Sequence, residues 1–212
     1  MNVKTIIDGN DNLMLNKNKS YCIYSHGCFC PPHKGHFDGL NQVLNIVDNK
    51  KVKVFINQIG GKRHGVNRET NIFIMETYLK DCYSHIDYKL FINNHRDKIL
   101  TKENLNNIDE IIILRGLEIN DDNVNEYNKI KNINDYKYTP IANNYNRNII
   151  IFMGKRYKGL SATDFGNNLI KLKTDKNNRH NNLKKCFNFI PDKVKLKNKK
   201  IIIYKLVKFY LK

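Results

Sequence analysis

The sequence predicts an α/β fold: a three-layer domain built on a mainly parallel, five-stranded sheet. Two observations lead there. Apolar runs rich in β-branched residues alternate along the chain with segments of helical periodicity. The strongest runs, such as Ile111-Ile112-Ile113-Leu114, are continuously apolar rather than alternating, as expected of strands covered on both faces. A length of 212 residues accommodates one such domain with a real core.

The elements follow in order. Residues 1–20 are polar and Asn-rich and read as a loosely ordered leader, with Ile6, Ile7, Leu13 and Leu15 able to form a short hairpin. Residues 21–25 read as the first strand and residues 35–49 as a helix with Leu40, Val43, Leu44 and Val47 on one face. Residues 52–58 form the second strand, followed by a basic, glycine-rich loop. A helix is expected over 67–79, with Ile72, Met75 and Leu79 on one side. Strands are expected at 88–93, 111–115 and 149–153. Residues 116–148 are polar and low in complexity, and no structure is assigned to all of them. The domain is placed at 21–194, with 195–212 as a basic C-terminal extension.

Charge is unevenly spread. The chain carries a formal +17, and residues 171–212 hold fourteen Lys and Arg against Asp175 and Asp192, a net of +12. Such a segment suits a polyanion, either nucleic acid or a membrane surface, or forms a solvated face. Its apolar residues, among them Ile202, Ile203, Leu206 and Val207, favour packing on the domain or across a subunit interface, as in a homo-oligomer. Five cysteines form an odd, irregular set, and no apolar N-terminal segment precedes them. No run approaches the roughly 18 apolar residues of a membrane span. A cytoplasmic protein with reduced thiols is expected.

The most informative string is Gly27-Cys28-Phe29-Cys30-Pro31-Pro32-His33-Lys34-Gly35-His36-Phe37-Asp38, at a strand–loop–helix junction. Gly27 permits a turn, Pro31 and Pro32 restrict the loop, and Gly35 permits close backbone approach. A helix start points free N–H groups and a positive dipole end at this corner. Two imidazoles complete an anion-ready site suited to a nucleoside triphosphate. Cys28, Cys30, His33 and His36 are also four potential zinc ligands, although their spacing does not match the usual structural pattern.

The pattern G-x-F-x-P-x-H-x-G-H resembles the signature of nucleotidyltransferases that share a Rossmann-like fold with class I aminoacyl-tRNA synthetases. These include phosphopantetheine and nicotinamide-mononucleotide adenylyltransferases and the small cytidylyltransferases. The resemblance implies that His33 and His36 contact the triphosphate and stabilise the transition state at the α-phosphorus, with Gly27, Phe29 and Gly35 shaping the loop. Cys30 stands where many relatives carry Asp or Asn. Leu160-Ser161-Ala162-Thr163, after the strand at 149–153, resembles the second signature, I-S-S-T-x-x-R/K. There Ser161 and Thr163 would hold the β- and γ-phosphates at a helix N-terminus. The basic residue expected three places after Thr163 is Gly166, so Lys155, Arg156 or Lys171 would have to supply that charge.

Arg115-Gly116-Leu117 resembles the R-G-L segment of phosphopantetheine adenylyltransferase, whose arginine contacts substrate; a guanidinium fork can grip phosphate oxygens. Glu118 replaces a second basic residue, and Asp122 and Glu126 would approach the nucleotide. Lys62 and Arg63 are expected at a phosphate or in solvent. Phe187-Asn188-Phe189-Ile190-Pro191-Asp192-Lys193-Val194 resembles the F-x-P-x-x-V stretch that ends this fold. The function expected is transfer of a nucleoside monophosphate, from ATP rather than CTP, to a phosphate-bearing small molecule. Mg2+ would be held mainly by the triphosphate. The alternative is a basic nucleic-acid-binding protein built on a degenerate domain of the same kind.

Overall fold

A computed structural model describes residues 3–7, 15–16, 18–59, 66–117, 143–144, 146–155 and 160–210. The described strands are β1 (Val3–Ile7), β2 (Tyr21–Gly27), β3 (Val52–Gln58), β4 (Asp87–Ile92), β5 (Glu110–Leu117) and β6 (Asn148–Lys155). They form one sheet in the order β1-β6-β5-β2-β3-β4. The pairs β1–β6, β6–β5 and β5–β2 run parallel. The fold is therefore of the expected α/β class. All five strands read from the sequence are present, and β1, inside the segment read as a leader, adds a sixth at the edge beside β6.

The chain divides into two compact units. The first comprises Met1–His26, Asp38–Asn57 and Ile86–Arg156, and it holds the sheet. On one sheet face Cys22, Tyr24, Ile111, Ile113, Ile149, Ile151 and Met153 form a buried cluster with Ile99, Leu100, Leu105 and Ile108. The last four come from the short helix α3 (Arg96–Ile99) and the turns after it. Each such side chain, fully buried, contributes about 1.5–3 kcal/mol. On the other face α1 (Asp38–Leu44) packs on β5 and β6. A Cβ on Gly154 would lie 2.7 Å from the Cα of Gly39, so these two glycines let helix and strand backbones touch. Helix, sheet and helix make three layers within this unit.

The helix expected over 35–49 is shorter than its periodicity suggests. A 3-10 turn, Lys34–Phe37, leads into α1, which ends at Leu44. Asp48 then accepts the Lys50 amide and starts a second 3-10 turn ahead of β3. Strand β4 closes before Asn93, whose φ of 50° lies in the left-handed region.

The second unit comprises Gly27–Phe37, Gln58–His85 and Tyr157–Lys212. It is helical: α2 (Arg68–Cys82), α4 (Ala162–Thr174), α5 (Arg179–Phe187) and α6 (Leu196–Val207). Asn67 caps α2 through the Thr70 amide. The buried stripe of α2 runs through Ile74, Met75, Tyr78 and Leu79, while Ile72 is only half-buried. The C-terminal segment packs within this unit: α6 contacts α2 and α4, and buries Ile202, Ile203 and Leu206. Asp81 on α2 accepts the Lys195 amide (3.1 Å) and the Asn198 side chain (2.8 Å) at the start of α6, where a carboxylate complements the helix dipole. Among the described residues, no helix is long and apolar enough to cross a membrane.

Candidate active site

The signature loop leaves β2 at Gly27 and turns through Phe29, whose φ of 43° is unusual for a bulky residue. That conformation costs about 1–2 kcal/mol. It is offset by the ring, which is buried, stands edge-on to the His36 imidazole at 5.2 Å, and lies against Gly27. Two side chains of α2 fasten the loop. Asn71 donates to Cys30 Sγ at 3.1 Å, and the buried Tyr78 hydroxyl donates to the Pro32 carbonyl at 3.2 Å. The thiol at position 30 is thus an acceptor for Asn71. Farther on, the Lys34 amide donates to the Phe189 carbonyl at 2.7 Å, tying the loop to the F-x-P stretch.

The two histidines act as a pair. The His33 amide donates to His36 Nδ1 (3.1 Å), and the His36 amide donates to the His33 carbonyl (3.0 Å). Their ring centroids are 3.8 Å apart, with His33 buried and His36 half-buried. Because Nδ1 of His36 accepts a hydrogen bond, the proton of the neutral ring sits on Nε2. His36 therefore presents an N–H donor from its distal nitrogen. Among the described residues, no group of His, Cys, Asp and Glu is arranged to hold a metal ion.

The second signature meets the first. A Cβ on Gly35 would lie 3.1 Å from the Leu160 carbonyl oxygen and 3.1 Å from the His33 ring. Gly35 thus makes room for the residue that opens the second signature and for the adjacent imidazole. More than a hundred residues separate these motifs in sequence. Phe165 and Phe189 stack at 4.9 Å with an interplanar angle of 3°, so the F-x-P stretch joins the same cluster.

Ser161 stands at the start of α4. It is the N-cap of α4, accepting the Asp164 amide at 3.0 Å, and its hydroxyl donates to Asp164 Oδ2 at 2.6 Å. This N-cap engages the hydroxyl in both directions. The carboxylate of Asp164 also puts negative charge where an anion would bind. Thr163 is exposed on the first turn. Backbone amides at the start of α4 are groups suited to a phosphate.

Gly166 has a clear reason to be glycine. A Cβ there would lie 2.4 Å from Cε1 of Tyr210. The phenol ring thus occupies the space beside α4 into which a basic side chain at this position would extend. Its hydroxyl oxygen is buried and has no hydrogen-bond partner among the described residues. Burial raises the Tyr210 pKa, and the nearby Cys30 thiol adds to the effect. Tyr210 therefore links the C-terminal segment to both signatures.

Arg115 belongs to the first unit, near the carboxyl end of β5 and in register with Met153. Its Nη1 lies 3.5 Å from Nε2 of His26, which in turn stacks on Tyr24 at 5.5 Å. Lys155 ends β6 in register with Leu117. Lys62, Arg63, Arg156, Glu118, Asp122 and Glu126 lie outside the described residues. Sequence reasoning missed His26, Asn71, Tyr78 and Tyr210. His26 carries a usable signal, since it lies two residues after Tyr24 on the same strand and shares its face. The others act across long sequence separations with no local pattern. Compared with known proteins, the sequence matches no family model and no curated protein.

Proposed function

We propose that this chain is a nucleotidyltransferase. A phosphate oxygen of the acceptor attacks the α-phosphorus of a nucleoside triphosphate. The new P–O bond forms as the bond to the β-phosphate bridge breaks, and pyrophosphate leaves. ATP is favoured over CTP because the Arg115-Gly116-Leu117 segment and the terminal F-x-P-x-x-V resemble the adenylyl branch. In this reading His36, through Nε2–H, donates to the α-phosphate oxygens as charge develops there, and His33 holds its orientation. The α4 amides bind the distal phosphates. Mg2+ enters with the triphosphate, and the reaction takes place in the cytoplasm.

The observation that carries the reading is the approach of Gly35 to the Leu160 carbonyl, which joins two motifs distant in sequence. A binding protein that has lost transfer is the second reading. It is favoured by the hydrogen bond of the Ser161 hydroxyl to Asp164 and by the ring of Tyr210 over Gly166. Pyrophosphate release separates the two, measured with each nucleoside triphosphate against a panel of phosphate-bearing acceptors and Mg2+. Acceptor-dependent release supports transfer. Nucleotide binding without release under every combination supports the second reading.

A further inference from the structure

Within the second unit, a cavity of about 840 Å³ opens among α4, α5 and α6. Its floor is aliphatic: Leu172 and Ile203 are buried, and Leu183 and Val207 are half-buried. Tyr204, 65% exposed, forms one wall, with Lys208 Nζ 4.3 Å above its ring. The rim is cationic, made by Lys173, Lys176, Arg179 and Lys200, with His180 beside them. Among the described residues no carboxylate lines it. The nearby Asp175 is tied into its own turn by the Asn178 amide (3.1 Å) and side chain (3.0 Å).

We propose that this groove binds a single-chain anionic amphiphile, with its chain on the aliphatic floor and a phosphate or carboxylate head among the rim cations. Charge complementarity sets the sign of the head, because four Lys and Arg side chains surround an apolar floor and no acid is among the lining residues. Size sets the class of ligand. From Lys200 to Val207 the α6 wall runs about 10 Å, two helical turns. The volume falls in the range of small-molecule sites, about 300–1,000 Å³. Single-stranded nucleic acid is held on aromatic platforms, and this floor offers Leu, Ile and Val with one tyrosine at its side. The site is independent of the nucleotidyl-transfer reading and involves none of its residues.

The test is titration calorimetry of the full chain with dodecyl phosphate below its micelle-forming concentration. Saturable binding is expected, weakened at least about tenfold by Arg179→Glu/Lys200→Glu and also by Leu183→Gln. Inorganic phosphate and dodecyltrimethylammonium should each bind at least about tenfold more weakly than the probe, since each lacks half of the recognition. Phosphate binding as tightly as dodecyl phosphate would overturn the proposal in favour of a simple anion patch. Equal binding of the cationic amphiphile, or full affinity in a folded charge-reversal variant, would also overturn it. So would recruitment to anionic vesicles or an oligonucleotide with no binding of the monomeric probe. Lys176→Glu, in the exposed turn before α5, provides the same comparison if the double variant does not fold.

Discussion

Gly154→Ala and Gly39→Ala should have opposite effects, although the two residues touch. A methyl on Gly154 would sit 2.7 Å from the Gly39 Cα and 3.2 Å from Gln42 Oε1. Carbon atoms rest at about 3.5–4.0 Å from one another, so α1 would have to withdraw from β6 by about 1 Å. The obstacle at 2.7 Å is backbone, which cannot rotate aside. Overpacking of this kind costs about 1–3 kcal/mol. For a chain of this length that lowers Tm by roughly 3–9 °C. A methyl on Gly39, by contrast, would meet the Gly154 Cα at 3.8 Å, ordinary contact distance. It also replaces a helix-interior glycine, which favours the fold by about 0.5–1 kcal/mol. Thermal melts and urea titrations of both variants decide the matter. A Gly154→Ala melt within about 1 °C of the parent, or a Gly39→Ala loss as large as that of Gly154→Ala, would refute the packing assigned to α1.

Ser161→Ala should cost about 0.5–2 kcal/mol in urea unfolding by removing the α4 cap, while nucleotide affinity changes little because the backbone amides remain. A large loss of nucleotide affinity at unchanged stability would restore the hydroxyl to the phosphate. Gly166→Ala should destabilise by about 1–3 kcal/mol, and Tyr210→Ala in the same chain should relieve most of that loss. Strictly additive losses in the two-residue cycle would show that the ring is not the obstacle. Burial pushes the Cys82 thiol up to about 11, Cys186 up to about 12 and Cys22 higher still, so these three should resist alkylation at neutral pH in the folded protein. Cys28, half-buried in the signature loop, should be modified first and more slowly with ATP present. Peptide mapping after iodoacetamide treatment checks both statements, and labelling of Cys28 that ATP leaves unchanged would count against nucleotide at this loop.

The sheet was legible in the sequence where both faces are covered. The runs at 111–114 and 149–153 had to be apolar at every position because α1 packs on one face of β5 and β6 and the Ile99–Ile108 segment on the other. β1 was not legible, since its identity as a strand comes from parallel pairing with the distant β6 and not from a local pattern. Helix α1 was overextended because the apolar spacing continues to Val47, whereas Asp48 turns the chain through its own side chain before β3. At the candidate site, the glycine–histidine string carried its own pattern and its junction was readable. The Ser161 cap was equally local, but a serine before a helix looks the same whether it caps or also binds phosphate. The packing of Tyr210 on Gly166 was beyond reach, because it depends on the chain returning to α4 at its far end.

His36 tests the central claim most directly. The measurement is steady-state pyrophosphate release by His36→Ala beside the parent, with the best nucleoside triphosphate and acceptor and with circular dichroism as the check on folding. One transition-state donor is worth about 3 kcal/mol, so turnover should fall about a hundredfold or more while the spectrum is unchanged. Pyrophosphate release at the parent's rate by the folded variant would contradict the role given to His36 and, with it, the reading of this loop as the centre of nucleotidyl transfer.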